Sequence, residues 1–590
     1  MRLFNKSLKL KFIHGTNQAI WFCLVLITSY AMLFQSILIS FTPFPLEIRE
    51  GATSAITWLI LHKGLSSLYT SSSMPTYNNV YGMGFSLISI PWVIWIKNIA
   101  IGHRFSAIFC SLLAALVFYA ISYKTSKNRV LSFALLLAFV FNLSWAGVAN
   151  ETWGDAAGLL VGQLILLIAV SSLPVNYKAI SIIGLTLFAY LIKPYFAFYG
   201  IAVFIWLPLA TNWKQTILWY SVSLAMMIIF VITMQYYFPW YLWNTFIQYS
   251  AYLGGTYHHL IGELQAFWRI NAFWVYFLVA SSIAIYFLLN QNKSVLSDNK
   301  KNTSSNLFEY GSLSFWVYMV CFFGVAMFYM GRNTGRSWTY FVELFDPLFY
   351  LLVASVTAKL FSQLNHPRKF FTLYIVLSLA LFPFIYKQLK NETSAFRQFI
   401  TTTKKPTDIV NWKALNTYAA NNAMWDKSSE NDFAIISKFL ENKKNVFHSP
   451  WLTNILLDQS LPIYDSSHTQ HFRGPFQDNV KRDYFGLHLG RIVPIAKRKE
   501  AETIWTAYWD NVKRSIQNQK FDLIILEDED YSKVAYLLMF DYAAYYAAQG
   551  KDFNQSLHQF YKLITINYKA VKHIDRLKLT IYEPKEIHAG

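Results

Sequence analysis

Apolar blocks close to twenty residues long recur through the first 388 residues, the length a helix needs to cross the hydrocarbon core of a bilayer. With 590 residues, 55% of them hydrophobic and 18% aromatic, the chain is too apolar for one soluble globule. The blocks predict a polytopic α-helical membrane protein. About eleven spans are expected, at 17–41, 104–122, 130–148, 156–172, 178–192, 195–210, 214–235, 271–289, 312–330, 340–360 and 369–387. An odd number of spans sets the two termini on opposite sides.

Lys and Arg in short loops give the orientation, because cytoplasmic connections carry the excess. A cytoplasmic amino terminus collects Lys6, Lys9, Lys11, Lys124, Lys127, Arg129, Lys300 and Lys301 on that side. The stretch MRLFNKSLKLKF before the first apolar block resembles a signal peptide. Its apolar segment is long and lacks a small-residue cleavage site, so an uncleaved first span is expected. The net charge of +19 comes mostly from the membrane part, where 24 basic residues face nine acidic ones. It points to anionic lipid contact and topology, not to nucleic acid. Cys23, Cys110 and Cys321 lie inside expected spans and suggest neither a disulfide framework nor a metal site.

Seven of the nine acids, Glu47, Glu50, Glu151, Asp155, Glu263, Glu343 and Asp346, fall in or beside connections on the non-cytoplasmic side. Carboxylates near a bilayer are costly unless paired, hydrated or used. Glu47 and Glu50, in PLEIREG, are three apart and share a face if that stretch is helical. The competing reading is a helix start with carboxylates at the positive end of its dipole. Glu151 and Asp155, in NETWGD, sit at the mouth of the fourth span, where Asp155 also suits an amino-terminal cap. Two outer loops thus offer carboxylate pairs to one face, fit to bind a cation or to act as a general base.

Cationic partners for an anion are present as well. Lys193 interrupts apolar sequence at AYLIKPYF, at an outer turn, and Arg332 with Arg336 lie in the glycine-bearing loop GRNTGRSW. Snorkelling toward headgroups competes for all three, and Glu343 or Asp346 competes for the arginines. The aromatic outer loop 236–270 carries His258 and His259 and a Gly254-Gly255 hinge; it suits a static interfacial belt better than a lid over a lipid. In the first outer loop, 42–103, the apolar segments 52–61 and 81–96 are expected as helices lying at the interface.

From about residue 389 the composition changes, with charges throughout and shorter apolar runs. Residues 389–590 are expected as a soluble extracytoplasmic α/β or α+β domain, after a membrane domain at 1–388. Strands are expected at NVFHS, FDLIILED and LKLTIYEP, and helices at 431–442 and 533–549. The acidic run from Glu527 to Asp530 follows a strand and reads best as a solvated turn.

In order of features most of residues 17–390 resemble the GT-C superfamily of membrane glycosyltransferases. The branch is that of protein mannosyltransferases, the lipid A aminoarabinose transferase and their bacterial relatives. PLEIREG is similar to the family's first-loop acidic motif, GHRFSAI to a Gly-Arg-x-x-Ser element, and GRNTGRSWTYFVEL to a late element ending in a carboxylate. YNNVYGMGF departs from the pattern in lacking paired prolines, and NETWGD in lacking a preceding Arg. The resemblance implies a GT-C-like fold in a bacterial cytoplasmic membrane and a sugar donor carried on polyprenyl phosphate. The acceptor would be a glycan, lipid or protein. Glu47 would be the catalytic base, with Glu50 and Asp155 beside it and Glu151, His258 and Glu343 in support. Lys193, Arg332, Arg336 and Arg104 would hold the donor phosphate. A divalent cation on Glu47 and Asp155 is the one candidate cofactor. A lipid-linked-glycan flippase and a non-catalytic assembly subunit are the rival readings; clustering of charge at one face disfavours the flippase.

Overall fold

The computed structural model describes residues 36–42, 44–46, 50–145, 154–210, 212–248, 346–363, 427–466, 495–530 and 552–586, with a few single positions between them. Helices dominate. The first loop forms α1 (Glu50–Lys63) and α2 (Gly84–Ile96), helical where the sequence predicts helices at 52–61 and 81–96. There follow α3 (Ile99–Ser126), α4 (Arg129–Trp145), α5 (Asp155–Ala169), α6 (Val175–Ile192), α7 (Phe198–Ala210), α8 (Trp213–Tyr237) and α9 (Asp346–Gln363).

Three of these, α3, α6 and α8, are long and apolar enough to cross a membrane. They coincide with the spans expected at 104–122, 178–192 and 214–235. The expected spans at 130–148, 156–172, 195–210 and 340–360 coincide with helices whose apolar stretches are shorter. Those at 271–289, 312–330 and 369–387 lie outside the described residues, as does most of 17–41.

Local signals set the helix ends. Asn98 caps α3 by accepting the Ile101 amide at 2.9 Å, and Asn212 caps α8 by accepting that of Gln215 at 3.0 Å. Lys127 closes α3 in the left-handed region, φ 53°. Small residues bring the helices together. On α5, Gly158 and Gly162 meet the rings of Phe196 and Tyr199, where an added Cβ would lie 2.0 and 2.6 Å from ring carbons. The core of the bundle gathers Ala107, Ala114, Phe118, Phe139, Ile165 and Tyr350. α8 is different: Ile217, Leu224, Ile228 and Ile232 along it are exposed, as befits a helix facing lipid.

The carboxy-terminal part comprises α10 (Lys427–Leu440), β1 (Val446–His448), α11 (Thr453–Asp458), α12 (Ile495–Gln517), β2 (Leu523–Glu527), α13 (Phe553–Asn567), β3 (Tyr568–Ile574) and β4 (Leu579–Pro584). Its sheet has the order β1-β2-β4-β3, with β1 parallel to β2 and β4 antiparallel to both neighbours. Three strands fall where the sequence predicts them; β3 is additional. Every residue of β2 is buried because helices cover both faces: Leu523 and Ile525 pack toward α10, Ile524 and Leu526 toward α12 and α13. The helix expected at 533–549 lies outside the described residues.

This part packs on the first loop. One apolar cluster joins Ile56, Leu59 and Tyr69 of the loop to Trp505 and Phe560. Phe44 stacks on Phe433 at 5.1 Å, and the Asp458 carboxylate accepts from Asn98 Nδ2 and the Ile99 amide at 2.8 and 2.9 Å. The first loop, the start of α3 and the carboxy-terminal part therefore share one end of the bundle.

Candidate functional site

Two buried ion pairs occupy that end. Glu50 opens α1, and its carboxylate accepts the Leu46 amide at 3.0 Å. Arg104, in the second turn of α3, donates to both carboxylate oxygens of Glu50, from Nε at 3.1 Å and from Nη2 at 2.7 Å. Nη1 and Nη2 also donate to the carbonyls of Thr42 and Phe44. Arg104 is fully enclosed and Glu50 nearly so. The fork of the guanidinium thus ties the entrance of the first loop to α3.

The second pair joins α5 to the end of α6. Asp155 is the first residue of α5, after Gly154 at φ 86°. It does not serve as the amino-terminal cap that the sequence suggests; that position belongs to Gly154, and the Asp155 carboxylate instead accepts from Lys193 Nζ and Tyr195 Oη. Lys193 terminates α6, where Pro194 stops the helix and starts a 3₁₀ turn, Pro194–Ala197, that carries Tyr195 back toward α5. The Lys193 ammonium also lies 4.2 Å from the centre of the Tyr81 ring. Lys193 and Asp155 are both buried.

Phe85 links the two pairs. Its ring meets His103, the neighbour of Arg104, edge-on at 5.6 Å, and its Cβ closes on Gly154, the neighbour of Asp155. The His103 Nε2 pairs with Thr57 Oγ1 at 2.8 Å. Gly82 brings the first loop onto the end of α6: its amide donates to the Ile192 carbonyl at 3.2 Å, and an added Cβ would fall 1.7 Å from the Leu191 oxygen.

Of the residues expected at the site, Glu50, Arg104, Asp155 and Lys193 are therefore brought to one end, as two pairs. Glu47, Glu151, His258, Arg332, Arg336 and Glu343 lie outside the described residues. Sequence reasoning missed Tyr81 and Tyr195. Tyr195 follows Lys193 by two residues across a proline, and a tight turn there is the signal that could have found it. Among the described residues no three His, Cys, Asp or Glu side chains gather to hold a metal ion, and Glu47 lies outside that set.

In the carboxy-terminal part Glu527 is not in a solvated turn. It ends β2 buried, accepting from Ser449 Oγ at the end of the parallel strand β1, and burial pushes its carboxyl up to about 7. Beside it His448 is held neutral, with Nε2 accepting the Tyr464 amide at 3.0 Å and burial lowering its pKa to about 4.

No family model matches this chain, and no curated protein matches it.

Proposed function

We propose that the protein is an integral-membrane glycosyltransferase that moves a sugar from polyprenyl phosphate to an acceptor on the outer face of a bacterial cytoplasmic membrane. The observation that carries this reading is the buried set of Lys193, Asp155 and Tyr195 beside the Glu50–Arg104 pair. An enclosed ammonium at the end of an apolar helix, held by a carboxylate that a phenol braces, suits the anionic headgroup of a lipid donor. The sequence resemblance to GT-C enzymes, carried in part by the motifs that contain Glu50 and Arg104, supports the same reading.

In this mechanism Glu47, three residues before the anchored Glu50, takes the proton of the acceptor hydroxyl or amine. The acceptor heteroatom forms its bond to the anomeric carbon on the face opposite the phosphate, inverting that centre. The bond from the anomeric carbon to the phosphate oxygen breaks, and polyprenyl phosphate leaves with the electron pair. Lys193, with Arg332 and Arg336, stabilises the charge that develops on it. Asp155 and Tyr195 hold the Lys193 ammonium in place. Glu50 and Arg104 act as positioning residues for the loop that carries Glu47.

The test is sugar release from a panel of polyprenyl-phosphate sugars by purified protein in lipid, with and without chelator. The expected result is release by wild type and a loss of about a hundredfold or more in Glu47→Gln and in Lys193→Met. Wild type that releases no sugar from any donor, with an acceptor extract supplied, overturns the reading in favour of transport or assembly.

A further inference from the structure

α8 has the build of a membrane crossing from end to end. Its 25 residues rise about 37 Å, more than the roughly 30 Å of a hydrocarbon core. Apolar side chains are exposed along its length, and exposed aromatic rings bracket it, Trp213 at the start and Tyr236 with Tyr237 at the end. Trp and Tyr gather at the two headgroup levels of a bilayer. The end of α8 therefore lies at headgroup level.

The carboxy-terminal part meets the chain at that point. Trp240, three residues beyond α8, is covered by Phe472, with ring centres 5.3 Å apart, and by the Lys497 ammonium, 3.4 Å from its ring centre. Lys497 belongs to the first turn of α12, so the start of α12 is fixed beside the end of α8.

The residues at the start of α12 suit a bilayer surface. Ile495 is exposed, and Lys497, Arg498 and Lys499 follow in succession. Lys497 is engaged by the Trp240 ring and by Glu500 at 3.0 Å. Lys499 is exposed, and Arg498 Nε is enclosed with no hydrogen-bond partner among the described residues. These cations do not serve the helix itself, whose dipole favours acids in the first turn; none stands there, and Glu500, Glu502 and Asp510 come later. A guanidinium and an ammonium near an exposed isoleucine, at headgroup level, match an anionic phospholipid. The cations take its phosphate and the apolar side chain enters the interface.

Independently of the transferase reading, we infer that the start of α12 binds the phosphate of an anionic phospholipid through Arg498 and Lys499. The contact seats the carboxy-terminal part on the membrane beside α8.

The test places a fluorophore at Thr503→Cys, one turn beyond Lys499, in the full chain in phosphatidylcholine nanodiscs. The labelled parent chain supplies the background from the native cysteines. Phosphatidylglycerol or phosphatidylcholine with a spin label high on one acyl chain serves as quencher. Half-quenching is expected at a mole fraction of phosphatidylglycerol about fivefold or more below that of phosphatidylcholine, the effect of one or more cations at an anionic surface. Arg498→Gln with Lys499→Gln is expected to abolish the preference without lowering the thermal midpoint, while Lys513→Gln with Arg514→Gln, at the far end of α12, keeps it. Equal quenching by the two lipids in wild type, quenching by neither, or a preference that survives Arg498→Gln with Lys499→Gln overturns the inference. Displacement of the phosphatidylglycerol by equimolar polyprenyl phosphate assigns the cations to a polyprenyl carrier and overturns it as well.

Discussion

The guanidinium of Arg104 grips both carboxylate oxygens of Glu50 and also donates to the carbonyls of Thr42 and Phe44, all inside the protein. Removing one partner strands a buried charge, so Arg104→Met is expected to cost about 3–5 kcal/mol of stability. The double variant Glu50→Gln with Arg104→Met is expected to recover more than half of that loss. Thermal unfolding of the three proteins in lipid checks the prediction, and equal midpoints for wild type and Arg104→Met would defeat it.

The Tyr195 hydroxyl donates to Asp155, and its ring centre lies 5.6 Å from the Lys193 ammonium. Tyr195→Phe keeps the ring and removes one hydrogen bond to a charged group, worth about 1.5–3 kcal/mol. A loss of transfer activity of about tenfold to a hundredfold is expected, carried mainly by a higher KM for the lipid donor if Tyr195 serves to hold Lys193. Steady-state kinetics separate that from a loss in kcat, which would mean that the phenol acts in the chemical step.

These two sets show what the sequence could and could not disclose. Glu50, Asp155 and Lys193 were legible because a charge in apolar sequence is conspicuous. How they pair was not, since the Arg104–Glu50 pair spans 54 positions and the Lys193–Asp155 pair 38. Pairing across such distances depends on helix packing, which single-sequence periodicity does not encode. The strands around 446, 523 and 579 were readable from short apolar runs. β3 was not, because its middle residues, Lys569 to His573, face out at the sheet edge and read as polar. Glu527 misled for the opposite reason: an acidic run reads as solvated, yet the parallel pairing of β1 and β2 buries its first member against Ser449.

Gly82 is a sharper test of the link between the first loop and Lys193. A Cβ there would collide with the Leu191 carbonyl, a backbone atom that cannot swing aside. Gly82→Ala is expected to destabilise by about 1–3 kcal/mol and to displace the loop from the end of α6. Activity is expected to fall further than stability, because Tyr81 and its contact with the Lys193 ammonium move with the loop. Thermal midpoints beside donor-binding measurements check this; unchanged donor affinity in a folded Gly82→Ala protein would contradict it.

Glu527 and His448 give the carboxy-terminal part a pH response that one substitution can expose. Burial raises the Glu527 carboxyl from 4.5 to about 7, so the folded state holds that proton more tightly than the unfolded chain. Its contribution is fully present below pH 4.5 and is lost as pH rises through 7, a change of about 3 kcal/mol. Burial lowers His448 from 6.5 to about 4, so its contribution is fully present above 6.5 and is lost as pH falls through 4. Between pH 4.5 and 6.5 the two slopes oppose each other. Asp458, raised to about 6 by burial, adds to the Glu527 slope, though the residue keeps solvent contact and its share is small. Glu527→Gln keeps an acceptor for Ser449 and removes the titration. Above pH 7 the variant is expected to be the more stable protein, and on acidification from 6.5 to 4 it is expected to lose about 3 kcal/mol, the uncovered His448 slope. Denaturant unfolding of the full chain in nanodiscs, followed by fluorescence, gives the stability at each pH, with the buried Trp505 and Trp509 among the residues that report it. Parallel curves for wild type and variant across pH 4 to 8 would show that Glu527 does not titrate in this range.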